Sequence, residues 1–298
     1  MFGWLVTRML PIVPMGIVRA VASRYVAGED LDSAREVVRR LAAEGYHATI
    51  DILGENAADD AHADETVQGY RQVLEMIDRE HLPSNISVKP SHLGIRLHEE
   101  RAERRLWDLV DDVSARGNFL RIDMEDSSLT DATLRLYRRA RERSPQVGTV
   151  IQAYLRRTVE DARALAAEGA NLRLCKGIYR ESPSIAWQKR DDIRKSYLET
   201  ARILLSAPGT YVAFATHDRV LLEQVPNIAA EMSVPPDRFE FQALLGVPVE
   251  DVLKPLVERG FKVRWYVPFG VEWYPYSVRR LKENPKMATY IVRHWFAR

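Results

Sequence analysis

The chain has 298 residues, of which 46% are hydrophobic and 29% are charged, and its formal net charge at pH 7 is +1. This composition indicates a globular protein with a substantial core, and the dispersed, balanced charge excludes the basic footprint of a nucleic-acid-binding protein. The single cysteine, Cys175, excludes an intramolecular disulfide and fits a reducing, cytoplasmic compartment.

Residues 1–30 form an apolar N-terminal segment. Arg8 and Arg19 interrupt it, and Pro11 and Pro14 break it. It is therefore too fragmented for a membrane-spanning helix, and it lacks the clean apolar run of a signal peptide. We predict that residues 1–30 are a helical extension packed on the following domain. Contact with a partner or a membrane surface is the alternative.

From residue 31 onward, short β-branched runs alternate with segments of helical period. Eight strands are predicted, at residues 47–53, 86–89, 119–124, 149–153, 172–176, 211–216, 238–243 and 262–267. Eight strand–helix units in about 250 residues predict one (β/α)₈ barrel, which spans residues 31–298. An open doubly wound sheet is the alternative, but the sequence contains no GxG to mark a dinucleotide site.

Polar residues close almost every predicted strand. In a (β/α)₈ barrel, catalytic groups come from the carboxyl ends of the strands and the loops that follow them. The residues at these ends are Lys89, Asp123, Met124, Gln152, Arg173, Lys176, Thr216, His217 and Tyr266. Their joint placement predicts a polar mouth on an apolar barrel.

The residues near this mouth leave several chemistries open. No HxH or HExxH pair occurs, so we predict no metal site. Asp123 and Glu125 have the spacing of possible Mg²⁺ ligands, but carboxylates among so many cations are more simply explained as their partners. Lys89 and Lys176 both qualify by position as Schiff-base lysines. Cys175 lies inside a predicted strand and is interpreted as a core residue.

A predicted helix near the C-terminus carries a second group of polar residues. Tyr276, Arg279, Arg280 and Glu283 are three or four residues apart, so they share one helix face. Two guanidinium groups on one face are suited to holding a carboxylate or phosphate by bidentate hydrogen bonds. A solvated face, with Glu283 paired to Arg279, is the alternative that these residues alone leave open.

Six segments, in this order along the chain, resemble the catalytic barrel of the proline dehydrogenase family. They are RIDMEDS (121–127), VIQAYLRRT (150–158), RLCKGIYRES (173–182), ATHD (215–218), FEFQALLG (239–246) and YPYSVRRLKENP (274–285). The resemblance implies a distorted (β/α)₈ barrel whose last helix lies over the mouth. It also implies an FAD cofactor and the oxidation of L-proline to 1-pyrroline-5-carboxylate. A related flavin barrel that acts on 4-hydroxyproline, a Schiff-base lyase and a non-catalytic anion-binding barrel are the alternatives.

The resemblance further implies roles for individual residues. Asp123 and Arg173 match the family's active-site pair beside the flavin. The residues that match substrate-binding positions are Lys89, Leu244, Tyr266, Tyr276, Arg279, Arg280 and Glu283. The residues that match FAD-contacting positions are Met124, Gln152, Lys176, Gly177, Ile178, Thr216 and His217. Two positions depart from the family's usual pattern, because Leu245 stands where many members carry His or Tyr, and Ile178 stands where Ala is common.

The same resemblance implies a metabolic context. Electrons are expected to pass to a quinone-type acceptor, with peripheral contact at the inner face of the cytoplasmic membrane. A chain of 298 residues leaves no room for a second catalytic domain. We therefore expect a separate 1-pyrroline-5-carboxylate dehydrogenase to act on the product.

Overall fold

The structure is a computed structural model, and it describes residue 19, residues 22–274 and residues 276–278. Three of the predicted substrate-binding residues, Arg279, Arg280 and Glu283, lie outside the described residues.

Eight parallel strands close into a barrel in sequence order, β1 to β8. They are β1 (His47–Ile52), β2 (Ser84–Val88), β3 (Leu120–Ile122), β4 (Val147–Gln152), β5 (Asn171–Cys175), β6 (Tyr211–Ala215), β7 (Phe239–Leu244) and β8 (Lys262–Phe269). Each strand pairs with its neighbours in the chain, and β8 closes on β1 with Val267 opposite Ile50. The predicted fold class, a closed (β/α)₈ barrel, is confirmed.

The helices form the outer wall of the barrel. They are α1 (Leu31–Ala43), α2 (Asp60–Glu80), α3 (Glu99–Ala115), α4 (Thr130–Arg143), α5 (Thr158–Ala167), α6 (Arg190–Ser206), α7 (Arg219–Glu231) and α8 (Glu250–Glu258). Helices α2 to α8 each connect one strand to the next. Their apolar faces pack on the strands, as in α2, where Val67, Tyr70 and Leu74 are buried.

Helix α1 covers the seam at which the barrel closes. It precedes β1 in the chain and packs against both β1 and β8. Its start is fixed by Asp30, whose side chain accepts a hydrogen bond from the Ser33 amide at 2.8 Å. Because α1 occupies this position, the chain after β8 is not required to complete the wall.

The chain after β8 instead packs near the carboxyl end of β1. Trp273 and Tyr276 form a small apolar cluster with Leu53, which follows β1, and with Ala22 and Val26. The backbone at residues 276–278 is helical. This placement is compatible with the predicted last helix over the mouth, of which residues 279 onward are outside the described part of the chain.

The carboxyl ends of the strands differ from the prediction by one or two residues, and the difference matters most at β8. This strand continues to Phe269, because residues 267–269 pair with residues 50–52 of β1. Tyr266 was predicted to lie at the end of β8, but it lies inside this strand. Lys89, Asp123 and Lys176 directly follow β2, β3 and β5.

Candidate active site

The centre of the mouth is an ion pair between Asp123 and Arg173. Arg173 Nη1 donates a hydrogen bond to Asp123 Oδ1 at 2.7 Å, and only 7% and 12% of the Arg173 and Asp123 side chains are exposed. Ser87 Oγ donates to the same carboxylate oxygen at 2.7 Å and accepts from Arg173 Nη1 at 3.2 Å. The two residues that the sequence predicted as a pair are therefore in direct contact, and Ser87, which was not predicted, links them.

Tyr266 is attached to this ion pair from β8. Its hydroxyl donates to Asp123 Oδ2 at 2.8 Å, so both oxygens of the carboxylate accept hydrogen bonds. The guanidinium carbon of Arg173 lies 5.1 Å from the centroid of the Tyr266 ring, which is cation–π distance. These contacts hold the phenol ring in one orientation at the mouth.

Lys89 is held on the other side of Tyr266 by a carboxylate that was not among the predicted site residues. Its ammonium lies 2.6 and 2.7 Å from the two oxygens of Asp51, a fully buried residue of β1, and 3.5 Å from the Tyr266 hydroxyl. Burial disfavours the ammonium, but the carboxylates of Asp51 and Asp123 outweigh burial and raise the pKa of Lys89. Lys89 is therefore a fixed cation and not a free amine.

A signal for Asp51 was present in the sequence. It interrupts the apolar run of a strand that was predicted to be buried, and a carboxylate in such a place requires a partner. Because successive side chains of a strand point to opposite faces, Asp51 is expected on the same face as Thr49.

The carboxyl ends of β5 and β6 carry a second cluster of charges. Asp218 accepts hydrogen bonds from Lys176 Nζ at 3.0 Å and from Arg194 Nη2 at 2.8 Å. Burial favours the neutral acid, but the bonds from Arg194 and Lys176 outweigh it and hold the pKa of Asp218 well below its ordinary value. Two cations on one carboxylate leave net positive charge beside the predicted FAD-contacting residues.

The residue after Lys176 is a glycine that packs against Tyr154. Gly177 has a φ of +104°, and a Cβ atom at this position would lie 2.0 Å from Cδ1 of the Tyr154 ring. The next residue, Ile178, has 41% of its surface exposed. Only glycine fits this position, because the Tyr154 ring occupies the space that a side chain would need.

The remaining predicted FAD-contacting residues lie at the ends of neighbouring strands. Met124 and Thr216 are buried beside β3 and β6. Gln152 is also buried, and its Nε2 donates to the Glu125 carbonyl at 2.8 Å, which fixes the orientation of the amide. His217 is exposed, and its Nε2 accepts from the Leu244 amide at 2.9 Å.

Glu125 does not follow the prediction that the acidic residues near the mouth pair with cations. Its carboxylate accepts hydrogen bonds from the Ser91 amide, at 2.8 Å, and from the Ser91 hydroxyl. Among the described residues, the cation partner is therefore found for Asp123 but not for Glu125.

One polar atom of this site is buried without a protein partner. Arg173 Nη2 is inaccessible to solvent and has no hydrogen-bond acceptor among the described residues. An unpaired buried donor is costly, so a ligand that supplies an acceptor would stabilise the site. This donor and the cations at Asp218 together suit a large ligand rich in acceptors.

The comparisons with known proteins agree with one another. The chain matches the family model described as proline dehydrogenase over residues 34–293. It is 36% identical over 275 residues to proline dehydrogenase 1 of Bacillus subtilis (strain 168), covering 92% of this chain and 90% of that protein. It is 31% identical over 278 residues to the proline dehydrogenase of Deinococcus radiodurans, covering 92% and 89% of the two chains.

A solved structure has the same fold. The crystal structure of proline utilization A (PutA) from Bdellovibrio bacteriovorus inactivated by N-propargylglycine superposes with a TM-score of 0.81 at 26% identity. The match covers 89% of this chain and 33% of that one, so the present chain spans about a third of that longer protein.

Proposed function

The chain belongs to the proline dehydrogenase family, and we propose that it oxidises L-proline to 1-pyrroline-5-carboxylate with FAD as its cofactor. The observation that carries the proposal is the buried Asp123–Arg173 pair at the mouth, in which Arg173 Nη2 still lacks an acceptor among the described residues. A buried, oriented guanidinium is suited to stabilising negative charge that develops on a bound group.

The residues at this end of the barrel fit FAD. Arg173 Nη2, which has no acceptor among the described residues, would donate to an acceptor-rich ring system. The proposed FAD-contacting residues are Met124, Gln152, Lys176, Gly177, Ile178, Thr216 and His217. When bound, FAD supplies the acceptor for the hydride that leaves the ring carbon next to the proline nitrogen. Arg173 and Lys176 place positive charge where the resulting negative charge accumulates.

We assign the substrate carboxylate to the cations of the mouth. Arg279 and Arg280 would clamp it, Glu283 would keep the clamp aligned, and Lys89 would attract it from the opposite side. Lys89 suits this role because Asp51 keeps it charged and immobile. Fixing the carboxylate orients the ring for hydride transfer, and orientation is a large part of the expected rate gain.

The walls of the pocket are assigned to Tyr266, Tyr276 and Leu244. Tyr276 is buried and Leu244 is half-buried, and the Tyr266 ring is held by Asp123. Apolar and aromatic surfaces match the ring methylenes of proline and exclude water.

The substrate nitrogen has to lose a proton before the hydride can leave. Both oxygens of Asp123 already accept hydrogen bonds from Arg173, Ser87 and Tyr266. We therefore assign Asp123 to the orientation of its neighbours and not to removal of this proton.

A spectrum tests the proposal directly. The purified protein, reconstituted with FAD if necessary, should show flavin absorbance that bleaches when L-proline is added without oxygen. The Arg173→Lys variant keeps the charge but loses the planar guanidinium with its several fixed donors, and it should bleach far more slowly. A protein that binds no FAD, or whose bound FAD is not reduced by proline, would overturn the proposal.

The Schiff-base lyase is disfavoured by the ion pairs that its candidate lysines form. Lys89 is paired with Asp51 at 2.6 Å and Lys176 with Asp218 at 3.0 Å, whereas imine formation requires an unprotonated amine. Borohydride treatment with a carbonyl substrate should therefore leave both lysines unmodified.

Preference for proline over 4-hydroxyproline is assigned to Tyr266. Its hydroxyl donates a hydrogen bond to Asp123, and this contact restrains the ring from moving away from a larger substrate. Tyr266→Ser should shift the ratio of kcat/KM values toward 4-hydroxyproline. An unchanged ratio would remove Tyr266 from the specificity assignment.

The electron acceptor and the cellular context belong to the same proposal. Resemblance supports a quinone-type acceptor, a cytoplasmic enzyme at the inner face of the membrane, and a separate 1-pyrroline-5-carboxylate dehydrogenase. None of the helices in the described part of the chain has the length and apolar character of a membrane span. Turnover of proline with a soluble quinone, compared with and without anionic vesicles, tests the acceptor and the membrane contact separately.

A further inference from the structure

Two buried residues of β7, Glu240 and Gln242, form a chain of hydrogen bonds that leads from Arg173 into the barrel interior. They are two positions apart, so both side chains point to the same face of the strand, and both are buried. Arg173 Nε donates to Gln242 Oε1 at 2.6 Å, and Gln242 Nε2 donates to Glu240 Oε1 at 2.5 Å. Neither residue has a role in the assignments made above.

The orientation of the Gln242 amide is dictated by Glu240. The Glu240 carboxylate accepts from Arg264 Nε at 2.9 Å and from the Tyr211 hydroxyl at 3.0 Å. Burial favours its neutral form, but Arg264 outweighs burial and lowers the pKa of Glu240 to about 2. An ionised carboxylate only accepts hydrogen bonds, so Gln242 must present its NH₂ group to Glu240 and its oxygen to Arg173.

This arrangement fixes the plane of the Arg173 guanidinium at two edges. Gln242 accepts from Nε, and Asp123 and Ser87 contact Nη1. A planar guanidinium held at Nε and Nη1 cannot rotate, so the direction of Nη2 is fixed as well. Nη2 is the nitrogen that has no acceptor among the described residues.

We propose that Glu240 and Gln242 are positioning residues that aim Arg173 Nη2 at the bound flavin and set the positive charge that the flavin experiences. This inference rests on the proposed function, because it names what orients a residue assigned to FAD. A purely structural role, in which the two residues only satisfy buried polar groups, is the competing explanation.

The first test removes the acceptor. Gln242→Leu has nearly the same volume but cannot accept from Arg173 Nε. We expect kcat for proline to fall by about 10- to 100-fold, which is the effect of misplacing an oriented catalytic group, with a smaller change in KM. The absorption bands and the midpoint potential of bound FAD should also shift.

The second test moves charge at constant composition. The double variant Glu240→Gln/Gln242→Glu keeps an acceptor for Arg173 Nε and brings the negative charge next to Arg173. Arg264 Nε loses its acceptor, because it bonds the same Glu240 oxygen as Gln242, so the variant should be less stable than the parent. It should fold and bind FAD, and the midpoint potential of FAD should become more negative, because the anion weakens the positive field of Arg173.

Tyr211→Phe is the matched control for stability. It removes one hydrogen bond from the other oxygen of Glu240 and leaves the Gln242 contact in place. It should lower the thermal midpoint without moving the FAD potential.

The outcomes separate this inference from the proposed function. Wild-type protein that binds no FAD, or whose FAD is not reduced by proline, overturns the proposed function and this inference with it. Wild-type protein that is active, together with Gln242→Leu and the double variant at wild-type potential, spectrum and kcat, overturns this inference alone.

Discussion

Arginine–carboxylate pairs occur in this molecule both on the outer helices and inside the barrel. Between α4 and α3, Arg143 and Asp111 form two hydrogen bonds of 2.7 and 2.5 Å, with 47% and 54% of the side chains exposed. Inside the mouth, Arg173 contacts Asp123 through one nitrogen at 2.7 Å, and both side chains are nearly buried. By geometry alone, the outer pair is the better formed of the two.

The surroundings reverse that order. Water and salt screen an exposed pair, and ordering two long side chains consumes most of the gain. Loss of one partner of a buried pair leaves a charge in a medium of low dielectric constant. We therefore expect burial, and not the number of hydrogen bonds, to determine which arginines of this barrel matter most for stability and turnover.

Breaking the interior pair should have the largest effect. Arg173→Met leaves Asp123 without its guanidinium, and we expect the free energy of unfolding to fall by about 3–5 kcal/mol. Turnover of proline should fall by about 100- to 1000-fold, because an oriented donor is lost. Urea unfolding and steady-state kinetics measure the two effects.

The double variant Arg173→Met/Asp123→Asn removes both charges and serves as the control. It should regain most of the lost stability and none of the turnover. If Arg173→Met were as stable as the parent, the buried ion pair would contribute as little to stability as an exposed one.

The Lys89–Asp51 pair should come next. Asp51→Asn removes the carboxylate whose two oxygens lie 2.6 and 2.7 Å from the Lys89 ammonium. Because Tyr266 and Asp123 still lie near the ammonium, we expect a loss of about 2–3 kcal/mol in the free energy of unfolding. The KM for proline should rise, since the cation is no longer held in place.

Lys89→Met/Asp51→Asn should recover stability but keep the raised KM. Recovery of both would indicate that Lys89 has no part in binding the substrate carboxylate.

His92, an interior group with no carboxylate partner in the described part of the chain, should show its cost as pH dependence. Burial, together with Lys89 and His62, lowers the pKa of His92 from 6.5 to about 3. The folded state therefore keeps His92 neutral while the unfolded chain binds a proton below pH 6.5. Stability should fall as the pH decreases from 6.5 toward 3, by at most about 1.4 kcal/mol per pH unit from this residue.

The contribution of His92 can be obtained by comparing how steeply the free energy of unfolding falls with decreasing pH in the parent and in a variant that lacks this histidine. His92→Gln, measured by urea unfolding at pH 7 and pH 5, should show a shallower decline than the parent. Equal slopes would place His92 among residues with an ordinary pKa.

The smallest effect is expected at the surface. Arg143→Ala removes both hydrogen bonds to Asp111 at an exposed position. The urea midpoint and the proline turnover should match those of the parent within error, and raising the salt concentration should leave the comparison unchanged. A loss comparable to that of Arg173→Met would mean that hydrogen-bond geometry outweighs burial.

The barrel and much of its mouth could be predicted from the amino-acid sequence. Alternating apolar runs and helical periods required eight strand–helix units, since each strand buries two faces only if helices cover the outside. The carboxyl ends of parallel strands must lie at one end of the barrel, and for that reason the order of the strands was enough to group Lys89, Asp123 and Lys176. The ordered motifs then assigned a family, which the comparisons confirmed.

Which of these residues touch, and which contacts hold them in place, is apparent only in the folded barrel. Lys89 meets Asp51 across 38 positions of sequence, and Arg173 meets Gln242 across 69. No local pattern encodes such contacts, because they depend on the register in which the strands pair and on how the ring closes. The placement of α1 over the β8–β1 seam, which frees the chain after β8 from the outer wall, was decided in the same way. Periodicity is a property of neighbouring residues and is readable from the sequence, whereas the pairing of buried charges is a property of the closed barrel.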